Sequence, residues 1–356
     1  MRSIPRFPTL ALVLALSAGA GCGEDASVEE TDPRTAKAAA RSPYGVPASE
    51  GIRVVPVEVE VPDLPAGWNG ARVVALSDFQ IGLWPDNADV AAAAVRTAIR
   101  LKPDVVVLVG DYVVRGGQAE LAALARVLAP LRGRMVVAVL GDRDQRDREE
   151  MGGGEVDSTA ARVVQTLNRA GVIVVQNERA RLVRAGDTAY VAGIGPYVAR
   201  RPAWRQAEIF ASIPRSGSTP ILLSHMPAGV YAAPDSTYPL VIAGSTFCGR
   251  VEVPGAARLS WVNTELFPNP ASRIQGTDRL YRIDGNGLFI TCGTGYSFVP
   301  VRLGAPPEVA LITLRGAAGR EAAADTVRQP NLDSLIQEYE RTPDTTAVVE
   351  DTAGGT

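Results

Sequence analysis

The chain has 356 residues, with 36 Lys and Arg against 39 Asp and Glu, three Cys and a single His, His225. A net charge of -3 offers no broad basic footprint, so no nucleic acid is expected as a partner. Three cysteines exclude a disulfide-stapled scaffold or a Cys-rich zinc framework, and one imidazole excludes any zinc cage that needs two.

In chain order, Arg2 and Arg6 precede the apolar run Leu10 to Leu16, and small residues lead up to Cys22. A basic start, a short apolar run and a small-residue site mark residues 1–21 as a secretory signal peptide. The run is far short of the ~20 residues that a spanning helix needs. Two cleavage readings stay open. Ala18-Gly19-Ala20 fits ordinary A-x-A processing. Gly19-Ala20-Gly21-Cys22 resembles a bacterial lipobox, which implies a lipidated Cys22 and an anchored lipoprotein. The second is preferred, because an acidic, small-residue stretch follows Cys22. Either way the chain is expected to be exported to the cell envelope, and on the preferred reading it meets the membrane through Cys22. In such a compartment Cys248 and Cys292 can bridge. Spacing alone does not decide between a disulfide and two free thiols.

Residues 22–50 are small and polar and read as a flexible tether. A globular block occupies 51–315. It alternates apolar, β-branched runs with helical patterns. Arg72–Leu76, Val105–Val109, Met135–Leu140, Ile221–Leu223 and Leu240–Ala243 are expected as buried strands. Ala88–Leu101 and Ala119–Ala129 are expected as helices, each stopping before a proline. Arg181–Val183, Tyr190–Ile194, Leu288–Cys292 and Val309–Leu314 add further strands. Two β-α-β units in succession imply an α/β fold with helices packed on a sheet. The tail, 316–356, is rich in Ala, Thr and Asp. Helical spacing marks Asn331–Tyr339 within it, and the remainder reads as disordered.

Each strand of the main series ends in a polar signature. The first ends at Ser77-Asp78-Phe79-Gln80, the second at Gly110-Asp111-Tyr112, the third at Gly141-Asp142-Arg143-Asp144. The fourth ends at Ser224-His225 and the fifth at Gly244-Ser245-Thr246-Phe247-Cys248-Gly249-Arg250. Ligands of open α/β sheets bind beyond the carboxyl ends of strands. This order and spacing resemble the calcineurin-like metallophosphoesterases, whose series reads D-x-H, G-D, G-N-H-D/E, H and G-H-x-H. The resemblance covers residues 70–315. Asn177-Glu178 and the stretch Val301 to Glu308 look like the bacterial membrane-associated phosphodiesterase branch. The fold that the resemblance implies is a four-layer α-β-β-α sandwich of two mixed sheets.

The chemistry implied by that family uses two cations that clamp a phosphate and generate hydroxide. Position by position, Asp78 matches the first ligand, Asp111 the bridging carboxylate and His225 a ligand of the second metal. Gln80 stands where the family has His, Asp142 replaces its Asn, and Arg143 replaces its acid-catalyst His. Ser245 and Phe247 replace both His of the last motif. These losses argue against a dinuclear transition-metal centre. A single Mg²⁺, Ca²⁺ or Mn²⁺ on Asp78, Asp111, Asp142, His225 and Gln80 remains open, as does no metal. Arg143 cannot serve as a general acid, because its guanidinium keeps its proton. It is instead the catalytic candidate for holding charge on a phosphoryl oxygen, with Arg250 as a second anion-binding group. Alternatively the two arginines neutralise the carboxylates that lost their metals.

Two functions follow from the resemblance. One is an exported hydrolase of phosphate esters with reduced activity. The other is a catalytically silent relative that binds a phosphate ester, another anionic ligand or an envelope partner. Ion-pair contact of Arg143 or Arg250 with Asp78 or Asp111 would favour silence. Phe247 is expected as an apolar plug, Trp84 as a shield over its loop, and Asp144 and Asp147 as solvated charges.

Overall fold

The computed structural model describes residues 51–145, 158–214, 216–247, 280–297, 302 and 306–316. The expected signal peptide, the expected tether with Cys22, and the expected tail after residue 316 lie outside the described residues, as do Asp147, Cys248 and Arg250.

Two six-stranded mixed sheets form among the described residues. The first has β2 (Arg72–Leu76), β3 (Val105–Val109), β4 (Val136–Val139) and β5 (Ile173–Val174) in parallel. It is extended by β12 (Glu308–Gly316), antiparallel to β2, and by β1 (Arg53–Val61) at the edge. The second runs in the order β10-β11-β9-β8-β7-β6. Here β7 (Asp187–Ile194), β8 (Ile221–Ser224), β9 (Leu240–Ala243) and β11 (Asn286–Ile290) are parallel. The strands β6 (Glu178–Arg184) and β10 (Leu280–Ile283) close its edges antiparallel.

The alternation of side chains along each strand produces the layers. In β3, Val105, Val107 and Val109 point one way and Val106 and Leu108 the other, and all are buried. The first set meets Val191, Ile221, Leu223 and Ile242 of the second sheet, so the middle core lies between the sheets. The second set meets α1 (Asn87–Arg100), α2 (Gln118–Leu128) and α3 (Ser158–Arg169) on the outer face. A third core joins the far face of the second sheet, through Ala192, Leu222 and Val241, to α4 (Ala203–Ser212) and α5 (Gly229–Ala232). The result is the expected α-β-β-α sandwich. Strands buried on both faces read as continuous apolar runs, which is why β2, β3 and β9 have the expected bounds.

Three of the four sheet edges, β1, β5 and β10, go beyond the apolar-run reading. An edge strand shows one flank to solvent and tolerates interruptions such as Pro56, Glu58 and Glu60. The helices α3 and α4 also go beyond it; they bury only narrow stripes, Val163 with Leu167 and Phe210.

Candidate metal and anion site

The strands β2, β3 and β4 of one sheet and β8 and β9 of the other end at one common rim. Their parallel registers bring Asp78, Asp111, Asp142, His225 and Ser245 together there. The turns that leave these strands are tight. Asp78, Gln80, Asp111, Ser245 and Phe247 all have left-handed backbone conformations, with φ from 49° to 67°. Non-glycine residues in that region gather at functional sites, where the surrounding structure holds them. A methyl at Gly141 would overlap the Asp111 carboxylate, so that position requires glycine for close approach.

Asp78, Asp111 and His225 are buried and each offers a ligand atom, all within 4.8 Å of one another. The ring of His225 is oriented by its Nδ1, which lies 2.7 Å from the Val109 carbonyl. A hydrogen bond there leaves Nε2 as the atom that faces the carboxylates. Nε2 is 3.2 Å from Asp142 Oδ1 and 3.4 Å from Asp111 Oδ1. Asp78 Oδ2 accepts from the Ser77 hydroxyl at 2.6 Å and from the Ser245 amide at 3.1 Å. Asp78 Oδ1 is buried without a hydrogen-bond partner, and the only polar groups that His225 Nε2 faces among the described residues are the carboxylates of Asp142 and Asp111. An orphaned carboxylate oxygen beside an imidazole nitrogen that faces only carboxylates suits one divalent cation, with Asp111 as third ligand. A cation bound there supplies Lewis-acid stabilisation of a phosphoryl oxygen.

A second cation does not fit equally well. The Gln80 amide nitrogen donates to Asp111 Oδ2 at 2.6 Å. The Arg143 Nε stands 3.5 Å from the same oxygen, and the Arg143 backbone amide donates to Oδ1 at 3.1 Å. Both oxygens of the carboxylate expected to bridge two metals thus face protein donors. The Gln80 carbonyl oxygen has no partner and stays competent as a ligand. Ser245 directs its hydroxyl at the Met226 sulfur, 3.4 Å away, and Phe247 is buried as expected of a plug. Asp142 lies at the rim, with its side chain 39% exposed.

Burial is the largest single influence on each group of this cluster, and for two of them the neighbouring charges together outweigh it. It pushes Asp111 up to about 8, His225 relieving and Asp142, Asp144 and Asp78 adding to the shift. Burial raises Asp78 as well, against the pull of His225. For Asp142 burial works upward, yet His225 and Arg143 hold it below its ordinary value. Burial works downward on His225, yet Asp111, Asp142 and Asp78 together drive it well above its ordinary value.

One expectation is overturned. Asp144 is not solvated but fully buried, and it accepts from the backbone amides of Asp111, Tyr112, Val113 and Gly141 at 2.7 to 3.2 Å. An acceptor-only carboxylate can satisfy several amides of a tight turn at once. Its burial moves its pKa up to about 6, with those amides opposing. The signal available in the sequence was its place three residues after Gly141, inside a strand-end turn. Arg302 is a site residue that the strand-end motifs do not mark. Its guanidinium donates to the Cys292 and Gly295 carbonyls at 3.0 and 2.6 Å, and lies 5.4 Å from the centre of the Phe247 ring. Trp84 behaves as expected, its indole donating to the Ser297 carbonyl at 2.7 Å. Cys292 takes part in a disulfide, and its partner lies outside the described residues.

Residues 71–247 match the family model described as calcineurin-like phosphoesterase, and the chain belongs to that family. It is similar to "Transmembrane protein with metallophosphoesterase domain" of Danio rerio, 28% identical over 288 residues, covering 77% of this chain and 60% of that protein. It is also similar to "Phosphodiesterase YaeI" of Escherichia coli K12, 25% identical over 228 residues, covering 62% of this chain and 74% of the relative. The chain spans about 60% of the length of the two transmembrane relatives it matches. Among solved structures it is similar to the TT1561 protein of Thermus thermophilus, 15% identical with a TM-score of 0.35, covering 50% of this chain and 83% of that one. No helix among the described residues is long and apolar enough to cross a membrane.

Proposed function

We propose that this chain is an exported member of the family that binds phosphate esters or related anions and hydrolyses them feebly or not at all. The observation that carries this reading is the occupation of both Asp111 oxygens by Gln80, Arg143 and the His225 flank. Protein donors replace the second cation as the source of positive charge. Arg143 does not give up a proton near neutral pH, so the leaving group lacks the acid that the family supplies at that position. What Arg143 offers instead is a guanidinium for phosphoryl oxygens at the rim. Export is supported by the leader pattern of residues 1–21 and by the disulfide at Cys292. The lipobox-like Cys22 supports a lipid anchor in the cell envelope.

The test is turnover of a chromogenic phosphodiester with Mn²⁺, Mg²⁺ or Ca²⁺, set against an Asp111→Ala control. Rates indistinguishable from that control are expected. Clear turnover above it sinks the reading.

A second reading is favoured by the orphaned Asp78 Oδ1 and by His225 Nε2, which faces only carboxylates. On it, one cation held by Asp78, Asp111 and His225 supports slow hydrolysis. Elemental analysis separates the two: one equivalent of metal that disappears in Asp111→Ala, together with turnover, selects the second.

A further inference from the structure

The rim of the site carries an exposed pair of aromatic side chains that the chemistry above does not use. After β7 the chain makes a 3₁₀ turn, Val198–Arg200, and enters α4. After β8 it passes His225 and forms α5 four residues later. The turn is tied to the site, because the Tyr197 hydroxyl donates to the Asp142 carbonyl at 3.1 Å. The short helix α5 packs against both the turn and α4. Trp204, in the first turn of α4, is 65% exposed, and Tyr231 of α5 is 39% exposed. Of the four large hydrophobic side chains that stand exposed among the described residues, these are the two aromatic ones.

Their surroundings are basic. Arg200, Arg201 and Arg205 lie within four positions of Trp204, and the guanidinium of Arg200 sits 5.3 Å from the centre of the Tyr197 ring. Glu208, which pairs with Arg205 at 2.7 Å, and Asp235 beyond α5 are the acidic side chains of these elements. Three arginines against these two acidic side chains leave the rim with a small net positive charge, in a chain that as a whole carries -3. Trp and Tyr with flanking arginines have the composition of a membrane interface, where amphipathic rings rest at headgroup level. Trp, Tyr and Arg also make protein hot spots, so the choice of lipid rests on the membrane tether expected at Cys22, which holds this basic, aromatic rim within reach of headgroups.

We propose that the α4–α5 rim, through Trp204, Tyr231, Arg200 and Arg201, seats the mouth of the site on an anionic lipid surface. The inference rests on the exported, membrane-tethered reading above and adds an orientation to it: the strand-end rim faces the bilayer. The anchor at Cys22 confines the domain near a membrane, and the aromatic rim selects which face meets it.

The experiment uses the full chain and vesicles whose acyl chains carry bromine, a short-range quencher of tryptophan. Brominated phosphatidylglycerol vesicles are compared with brominated phosphatidylcholine vesicles, for the native chain and for Trp204→Phe. The expected result is quenching by the anionic vesicles that the variant loses, and that salt of about 0.5 M weakens. Arg200→Gln is expected to raise the lipid concentration at half-quenching by roughly fivefold, the share of one basic residue at such a surface. Equal quenching of the native chain and Trp204→Phe overturns the proposal, as does quenching that ignores lipid charge. Co-sedimentation with the vesicles reads the anchor separately. Sedimentation without Trp204 quenching refutes the rim alone, whereas loss of both refutes the tether as well.

Discussion

The two sheets bring different halves to the shared rim. The first contributes carboxylates, Asp78, Asp111, Asp142 and Asp144. The second contributes His225, a hydroxyl in Ser245 and the ring of Phe247. The backbone does not differ in this way: left-handed turns follow β2 and β3 in one sheet and β9 in the other. The fold therefore keeps a ligand-presenting frame on both sides, with the carboxylates coming from one side and the imidazole of His225 from the other. On the first side the Asp111 carboxylate meets protein donors, the Gln80 amide and the Arg143 guanidinium.

The largest expected effect comes from the carboxylate side. Asp144→Ala leaves four turn amides without their acceptor and is expected to cost about 3–5 kcal/mol of unfolding free energy. Urea denaturation measures it. A loss below about 1 kcal/mol would show that water replaces the carboxylate, and that the two halves are equally tolerant.

The next effect is pH dependence without added metal. Asp111 and Asp144 titrate in the folded chain at about 8 and about 6, above their ordinary value. The folded state thus holds more protons than the unfolded one in this window, and stability falls as pH rises through it. The raised pKa of His225 acts in the same direction: its contribution is complete below its ordinary value and is lost as pH climbs through the folded one. The melting temperature is expected to decline from about pH 5 to about pH 8. A rise across that range breaks the picture of a proton-loaded carboxylate half, and a curve flattened by Mn²⁺ shows the cation doing the protons' work.

The smallest effect sharpens the comparison at a single contact. Arg143→Ala removes the guanidinium 3.5 Å from Asp111 Oδ2 and keeps the backbone amide on Oδ1. Titration calorimetry with Mn²⁺ is expected to show about tenfold tighter binding, or about 1.4 kcal/mol. Unchanged affinity would assign the exclusion of metal to Gln80 instead.

Much of the frame is legible in the sequence because its signals are local. Strands buried on both faces announce themselves as apolar runs, and the polar residues that follow them mark the rim. Asp78, Asp111 and His225 accordingly fall in one expected site, and the structure groups them. Asp144 carries only a weak local signal, its place three residues after Gly141 in a strand-end turn, and an Asp two residues from the half-exposed Asp142 reads as solvated. Only the convergence of the β3 and β4 turns wraps it in amides.

Periodicity, turn chemistry and residue identity are local properties, and they were enough to establish the central strands, α1 and α2, the α/β class and the residue types at each strand end. Which charges meet was settled only by the packing of the two sheets. It turned the Gln80 amide onto Asp111, set Arg143 against the same carboxylate, buried Asp144 and left Trp204 in solvent. Those outcomes depend on distances between segments far apart in the chain, and electrostatic energy varies with distance and burial rather than with sequence position.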